Sequence, residues 1–427
     1  MQDGTRQNDT SAAAAKIRLL GTRGDPAAYA VRDFLHRSDI DFEWVELGDD
    51  EQARTAAGAG GLGDPRLPIC LFPDGTRLEH PTVRQIAEKL GWFRQPSRTE
   101  YDLGIYGAGP AGLSAAVYGA SEGLRTVVIE RLAVGGQAGS SPKIENYLGF
   151  PQGISGADLA ERAREQAIRF GAEILMQRAG VRGEFLAGKG IGYLDDGTKI
   201  TARATICATG VDYRRLGLPG EDRWIGAGIY YGAGASEALL CGREPVFLVG
   251  GGNSAGQAAL HFARYAAKVT MVVREASLKA YLSHYLVDRI RADRRIEILT
   301  NTEVTALSGD RMLQTIALRN NATGKEWIEP TSWLFLCLGG LPQTNWAAEV
   351  GIIRDEGGYL VTGLDLTRDG ERPRGWALER GPHPMETSMP GVFAAGDVRH
   401  GSIKRCASAV GEGAMTIASV HRYLADG

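Results

Sequence analysis

The sequence predicts an α/β chain with two three-layer, Rossmann-like nucleotide-binding domains and a smaller α/β domain ahead of them. Three observations predict it. An apolar run ending at Tyr106 stops at G-A-G-P-A-G, Gly107 to Gly112, opens a small-residue helix and returns as T-V-V-I-E, ending at Glu130. A second run, P-V-F-L-V, stops at G-G-G-N-S-A, Gly250 to Ala255, opens another helix and returns as K-V-T-M-V-V-R, Lys268 to Arg274. Glycine makes up 58 of 427 residues with no collagen-like period, so the glycines serve turns and close backbone approaches.

Each part of the first fingerprint has a physical reason. Gly107 allows a tight turn, and Gly109 lets backbone approach a pyrophosphate held at the helix N-terminus. Gly112 lets helix and strand pack closely, and Glu130 is placed to accept hydrogen bonds from a ribose. In the second fingerprint the position matching Glu130 by spacing is Val273, followed by Arg274. Without a carboxylate for the ribose, and with a guanidinium beside it, a 2′-phosphate is favoured. This half therefore reads as an NADPH site rather than an NADH site; Glu275 opposes that reading and Lys279 supports it.

A formal net charge of -3 gives no basic field for nucleic acid or an anionic membrane surface, so small-molecule chemistry is expected. No apolar run reaches the ~18 residues that span a bilayer, and the first residues carry no apolar signal core. A soluble, cytoplasmic protein is the expectation. Cys70, Cys207, Cys241, Cys337 and Cys406 are scattered singly, with no C-x-x-C and no metal-ligand spacing. That spacing excludes a local redox pair or zinc knuckle, though not a pair made by the fold.

In chain order, residues 1–15 are polar and alanine-rich without helical periodicity, and disorder is expected there. Residues 16–95 read as strand, helix to about Arg37, strand, polar helix, the strand L-P-I-C-L-F at Leu67 to Phe72, a turn at Pro73 to Gly75, and a helix from Thr82 to Leu90. That order resembles the thioredoxin and glutaredoxin fold, with Pro68 where the fold keeps a cis-proline. The resemblance places a C-x-x-C near the start of the first helix, where this chain has Asp25, Pro26, Ala27 and Ala28. A dithiol reaction needs sulfur, so a packing or docking module is favoured there, with Cys70 as an apolar filler.

After a polar linker, Gln95 to Arg98, and the first fingerprint come G-G-Q at Gly135 to Gln137 and I-E-N-Y-L-G-F-P at Ile144 to Pro151. A helix from about Gly156 to Phe170 precedes three strand-like runs, closing with A-T-I-C-A-T-G at Ala204 to Gly210. Beyond the second fingerprint, W-L-F-L-C-L-G-G at Trp333 to Gly340 is another buried strand, and residues 354–385 read as a surface excursion. The chain closes with G-V-F-A-A-G-D-V, Gly391 to Val398, and a helix from Ile403 to Leu424.

Over roughly Tyr101 to Leu424 these motifs, in this order, resemble the low-molecular-weight thioredoxin reductase family, of the pyridine nucleotide-disulfide oxidoreductase type. The resemblance implies an FAD-binding domain, residues 99–214 and 341–427, split by an NADPH-binding domain, residues 215–340, and also a homodimer and a rotating NADPH domain. Carried over, Gly107, Gly109, Pro110, Ala111, Glu130, Arg131, Gly136, Gln137, Asn146, Ala208, Thr209, Gly210, Gly396, Asp397, Lys404, Arg405 and Cys406 would hold FAD. Gly252, Asn253, Ser254, Arg274 and Lys279 would hold NADPH. Two departures stand out. Where the family carries C-A-T-C, this chain has Tyr230-Tyr231-Gly232-Ala233-Gly234-Ala235, followed by Ser236 and Glu237. Where the family carries R-Q-A, it has Lys404-Arg405-Cys406. The pattern is identified with a subgroup of thioredoxin-reductase-like flavoproteins that lack the disulfide.

Hydride transfer from NADPH to FAD belongs to the cofactors and survives the loss of the thiols. The first expectation is therefore an FAD-dependent oxidoreductase that passes electrons directly to an acceptor other than thioredoxin. That acceptor would be a quinone or other small electrophile, a redox protein or dioxygen. Small residues at 232–235 would leave room above the ring, with Tyr231 and Glu237 lining it or donating protons; the alternatives are a packing tyrosine and a solvated glutamate. A second reading keeps disulfide reduction through Cys406, its pKa depressed by Lys404 and Arg405, against a cysteine buried as a small apolar residue. A third is a non-catalytic flavin or nucleotide redox sensor that uses its N-terminal domain for docking.

Overall fold

The computed structural model describes residues 16–426, apart from 187, 281, 368–370, 374 and 377. The disorder expected of residues 1–15 lies outside the described residues. The chain opens with β1 (Ile17–Gly21), α1 (Pro26–Arg37), β2 (Phe42–Glu46), α2 (Asp50–Ala57), β3 (Ile69–Leu71), β4 (Arg77–Glu79) and α3 (Val83–Lys89). The strands form one sheet in the order β2-β1-β3-β4, with only β1 and β2 parallel. Asp25 starts α1 by accepting the Ala27 amide at 2.9 Å, with Pro26 in the first turn. Thr82 and Gln85 start α3 as a capping box. Leu19, Leu35, Ile69 and Ile86 are fully buried in this unit, and the Leu67–Pro68 peptide is cis.

The next unit begins with β5 (Glu100–Tyr106), α4 (Pro110–Ser121), β6 (Thr126–Glu130), the short α5 (Gly136–Gly139) and α6 (Gly156–Arg169). It continues with β7 (Glu173–Met176), β8 (Gly180–Leu186), β9 (Lys189–Leu194), β10 (Lys199–Cys207) and β11 (Asp212–Tyr213). Four strands thus precede the A-T-G crossing instead of three. The glycines at 183, 188, 190 and 192 interrupt the apolar alternation and hide the β8–β9 hairpin. The sheet order is β7-β6-β5-β10-β9-β8, parallel through its centre.

The inserted unit holds β12 (Ile229–Tyr231), β13 (Pro245–Val249), α7 (Asn253–Phe262), β14 (Lys268–Val272), α8 (His284–Ala292) and β15 (Ile296–Leu299). Then come β16 (Thr302–Gly309), β17 (Leu313–Asn320), β18 (Glu326–Pro330), β19 (Leu334–Leu336) and β20 (Gly340–Leu341). Its parallel sheet runs β12-β19-β13-β14-β15, and β16-β17-β18 form a separate antiparallel sheet. Where the chain leaves and re-enters the split unit, β11 pairs antiparallel with β20, Asp212 opposite Leu341 and Tyr213 opposite Gly340. The split unit is completed by α9 (Asn345–Glu349), β21 (Val392–Ala394), which pairs with β10, and α10 (Cys406–Asp426). That last helix starts at Cys406 rather than at Ile403. Among the described residues no helix is long and apolar enough to cross a membrane.

The core of the inserted unit is aromatic. Phe335 is fully buried, with its ring centroid 4.1 Å from that of Phe262 and 5.1 Å from that of Tyr230. Truncation leaves a cavity that the surrounding strands cannot close. Phe335→Ala is expected to cost about 3–5 kcal/mol, read as an earlier urea midpoint for loss of the α-helical signal. A midpoint equal to wild type would contradict this packing.

Candidate flavin and dinucleotide sites

The two glycine turns are built alike. Gly107 and Gly250 have φ of 105° and 143°, and a Cβ on either would collide with the carbonyl oxygen of Ala208 or Cys337, at the end of the neighbouring strand. Only glycine lets those strand ends press on the turns. A Cβ on Gly112 would likewise collide with the Gly107 carbonyl, so this glycine serves packing.

Gly109 and Gly252 differ from these. Each is the N-cap of its helix, α4 or α7, in extended backbone and with no side chain capping the amides. A Cβ on Gly109 meets only Gly136 Cα, at 3.9 Å, and one on Gly252 meets nothing within 4 Å. Both helices therefore present uncapped amides to open space, which fits a dinucleotide pyrophosphate at each. In the first turn, Pro110 and Ala111 open α4, and Ala111 packs under Gly396.

Around the first turn, Glu130 is buried and accepts from the Ala108 amide and the Leu132 amide, both at 2.8 Å. These two bonds fix the turn, and each carboxylate oxygen keeps accepting capacity beyond them. Arg131 pairs with Asp212, Gln137 Nε2 donates to the Val211 carbonyl at 2.6 Å, and Asn146 is exposed. The Gly136 carbonyl accepts from Arg37 on α1 at 2.8 Å. Ala208 donates its amide to Tyr106 at 2.8 Å, which carries Thr209 and Gly210 past the turn towards β11.

At the other side, the Gly396 amide donates to Glu412 Oε2 at 2.7 Å, and Arg399 holds the second oxygen of Glu412 at 2.8 Å. The motifs did not disclose this pair, because Glu412 lies within the apolar pattern of α10. The Asp397 carboxyl has no hydrogen-bond partner among the described residues. Burial pushes it above the usual carboxylate range, with the Lys404 ammonium opposing. A half-buried carboxyl without a protein partner fits a polyol such as a ribityl chain. Lys404 Nζ donates to the Asp397 carbonyl at 2.6 Å and lies 4.3 Å from the centroid of the Tyr359 ring.

In the second site Asn253 Oδ1 accepts from the Ser283 amide at 2.8 Å, stapling α7 to α8, and Ser254 is exposed. Arg274, just past β14, and Lys279, in the 3-10 turn that follows, are exposed, Arg274 reaching Glu275 at 3.6 Å. Glu275 Oε2 lies 3.6 Å from where a Cβ on Gly251 would sit, so an acid does stand beside this turn.

The segment at 230–237 departs from expectation. The space left by its small residues is already filled: a Cβ on Gly232 would collide with the Tyr213 hydroxyl, and one on Gly234 with the Phe335 ring. Tyr231 stacks on Tyr213 with centroids 6.1 Å apart, and its own hydroxyl is enclosed without a partner. Glu237 is neither solvated nor beside an open space. It is fully buried and bonded by Arg32 through Nη2 at 2.7 Å and Nε at 3.1 Å. Burial pushes its carboxyl up while Arg32 opposes the shift.

At Cys406 the activated-thiol reading is contradicted, and the alternative, a small apolar filler, fits. Arg405 spends its guanidinium on the Lys404 carbonyl at 2.9 Å, and Lys404 is directed to Asp397. Burial and then the Asp397 charge push the Cys406 thiol up to about 11, the opposite of activation. It borders an apolar cavity of about 150 Å³ with Pro110, Gly135, Tyr147 and Val410. Burial raises Cys70, Cys207 and Cys337 to about 12 and Cys241 further still, and all five cysteines are free. Among the described residues no group of three or more His, Cys, Asp or Glu is placed to hold a metal ion.

Residues 101–413 match the family described as pyridine nucleotide-disulphide oxidoreductase. The thioredoxin reductase of Listeria innocua is 36% identical over 326 residues, covering 76% of this chain and 94% of that protein. That of Bacillus subtilis is 35% identical over 326 residues, 76% of this chain and 95% of its own. Among solved structures, Lactococcus lactis thioredoxin reductase in its FR conformation superposes with a TM-score of 0.68 at 27% identity, covering 77% of this chain and 100% of its own. The T. acidophilum thioredoxin reductase gives 0.67 at 30% identity, over 77% of this chain and 99% of its own.

Two outcomes follow from this geometry. The Cβ of Gly109→Val enters the phosphate approach and meets only Gly136 Cα, at 3.9 Å, so the variant is expected to purify folded but to hold FAD at least about tenfold more weakly, some 1.4 kcal/mol; a normally yellow, tightly loaded variant would refute the cradle. Alkylation of Cys406 by iodoacetamide is expected to stay slow at pH 8 and to rise only towards pH 11, because the reactive thiolate forms near about 11. Fast labelling at pH 8, mapped to Cys406 by mass spectrometry, would contradict a half-buried thiol held protonated.

Proposed function

The chain belongs to the pyridine nucleotide-disulphide oxidoreductase family, and from that premise we propose an FAD-dependent oxidoreductase of the thioredoxin reductase type that takes hydride from NADPH and delivers electrons to an acceptor other than thioredoxin. FAD supplies the electron-carrying chemistry when bound, and the nicotinamide supplies the hydride. The chain's own residues bind and orient. The amides behind Gly109 and Gly252 take the two pyrophosphates, Glu130 takes a ribose, and Asp397 takes the ribityl chain. Lys404 holds the Asp397 backbone in place. Arg274 and Lys279 favour the 2′-phosphate of NADPH, against the carboxylate of Glu275.

One observation carries the choice of acceptor: every thiol of the chain is single and held protonated, and the segment 232–234 is packed by Tyr213 and Phe335 instead of carrying sulfur. A dithiol relay needs two neighbouring sulfurs and a thiolate. Electrons would therefore pass straight from the cofactor to a small electrophile such as a quinone, to a redox protein or to dioxygen. On the same reading residues 16–95 are a glutaredoxin-like module without thiol chemistry, in which Asp25 caps a helix where a nucleophile would stand.

Mixed anaerobically with NADPH, the yellow protein is expected to bleach within minutes, and faster than with NADH. A quinone should restore the colour, and Cys406→Ala should bleach and recover like wild type. Flavin that stays oxidised would sink the enzyme reading, and loss of reoxidation in Cys406→Ala would restore the thiol.

A further inference from the structure

We propose that the N-terminal domain is a clamp built into the chain, which locks the inserted nucleotide domain to the split domain in one orientation and covers the face of Gly226 to Glu237. The first turns of α1 lie against that face. Pro26 Cα and Tyr29 Cδ1 come within 3.2 and 2.9 Å of where a Cβ on Gly226 would sit, and the Tyr29 ring meets the Tyr230 ring edge-on, centroids 5.2 Å apart. One turn later Arg32, 3% exposed, makes its two bonds to Glu237, 0% exposed, with the Trp44 ring 4.4 Å from the guanidinium. Arg23 bonds Glu244 at 2.7 Å and lies 4.3 Å from the centroid of the Trp333 ring.

The same domain grips the split domain on its other side. Arg37 donates to the Gly136 carbonyl at 2.8 Å, Arg84 pairs with Asp195 at 2.9 Å, and the Phe93 ring lies 4.0 Å from the Arg178 guanidinium. The covalent connection between the two nucleotide-binding units is narrow by comparison, two chain passages paired over two residues each. Beside the hinge Tyr213 stacks on Tyr231, and an exposed ion pair, Arg289 with Glu145, adds a rim contact. Such a hinge leaves orientation to non-covalent contacts, and the deepest of these run through the N-terminal domain. A buried ion pair suits a latch. Separating the partners strands a charge in a dry interface, so a half-open contact is unfavourable.

The face covered is the one where a dithiol would stand in the family resembled, so a folded protein cannot reach it while the clamp is closed. That consequence rests on the oxidoreductase reading. The clamp does not, and hydrogen exchange reads it without turnover.

The test uses the FAD-loaded full chain. In Arg32→Glu, amides of α1 and of Ile229–Cys241 are expected to exchange at least about tenfold faster than wild type, while β5 and β13 keep their protection. Combining Arg32→Glu with Glu237→Arg should restore protection to within about threefold. Should Arg32→Glu not purify folded, Arg23→Ala, which loosens a half-exposed contact of the same face, is expected to speed exchange of the same two segments about threefold. Wild-type protection of both segments in the folded variants, a charge swap no better than the single change, or deprotection spread equally into β5 and β13 would overturn the clamp.

Discussion

Two glycine turns rest against the carbonyl that ends the neighbouring strand, Gly107 on Ala208 and Gly250 on Cys337. No side chain fits between them, so each turn is held at van der Waals distance from the sheet and the helix behind it is aimed by that contact. The uncapped amides at Gly109 and Gly252 consequently open onto space rather than onto protein. The rest of each site is arranged around that opening. Glu130 fixes the first turn through the Ala108 amide, and Glu412 with Arg399 fixes Gly396 opposite it, leaving the Asp397 carboxyl without a protein partner.

Between the two sites, residues 230–237 carry no cysteine and are held by packing. Tyr213 and Phe335 occupy the volume over Gly232 and Gly234, and Tyr230 stacks with Trp333 and Phe335 while meeting Tyr29 from the N-terminal domain. Glu237 has become an interdomain anchor. A buried carboxylate–guanidinium pair adds little net stability over an apolar contact, but losing one partner costs about 3–5 kcal/mol. Its physical value here is fixed geometry between domains rather than stability.

What could be read from the sequence was what is local to it. Both fingerprints were legible because strand, turn, helix and returning strand follow one another within a short stretch, and the order of elements in residues 16–95 was legible for the same reason. The β8–β9 hairpin was not, since its glycines break the alternation that marks a strand. Residues that meet across domains left no local signal: Arg32 and Glu237 are 205 positions apart, and each alone resembles a surface charge. The small residues at 232–234 suggested room, but sequence could not show that the Tyr213 and Phe335 side chains fill it. Lys404 and Arg405 suggested an activated Cys406, yet the turn into α10 directs both side chains to backbone carbonyls and leaves the thiol to its burial.

On the proposed reading, reducing equivalents stop at the flavin and leave from it, with no thiol store. An anaerobic reductive titration of the FAD-loaded protein, followed by flavin absorbance, counts that store directly. Full reduction is expected at about two electrons per bound flavin, the capacity of the cofactor alone. Uptake of about four electrons per flavin, with a second redox couple titrating alongside it, would contradict it.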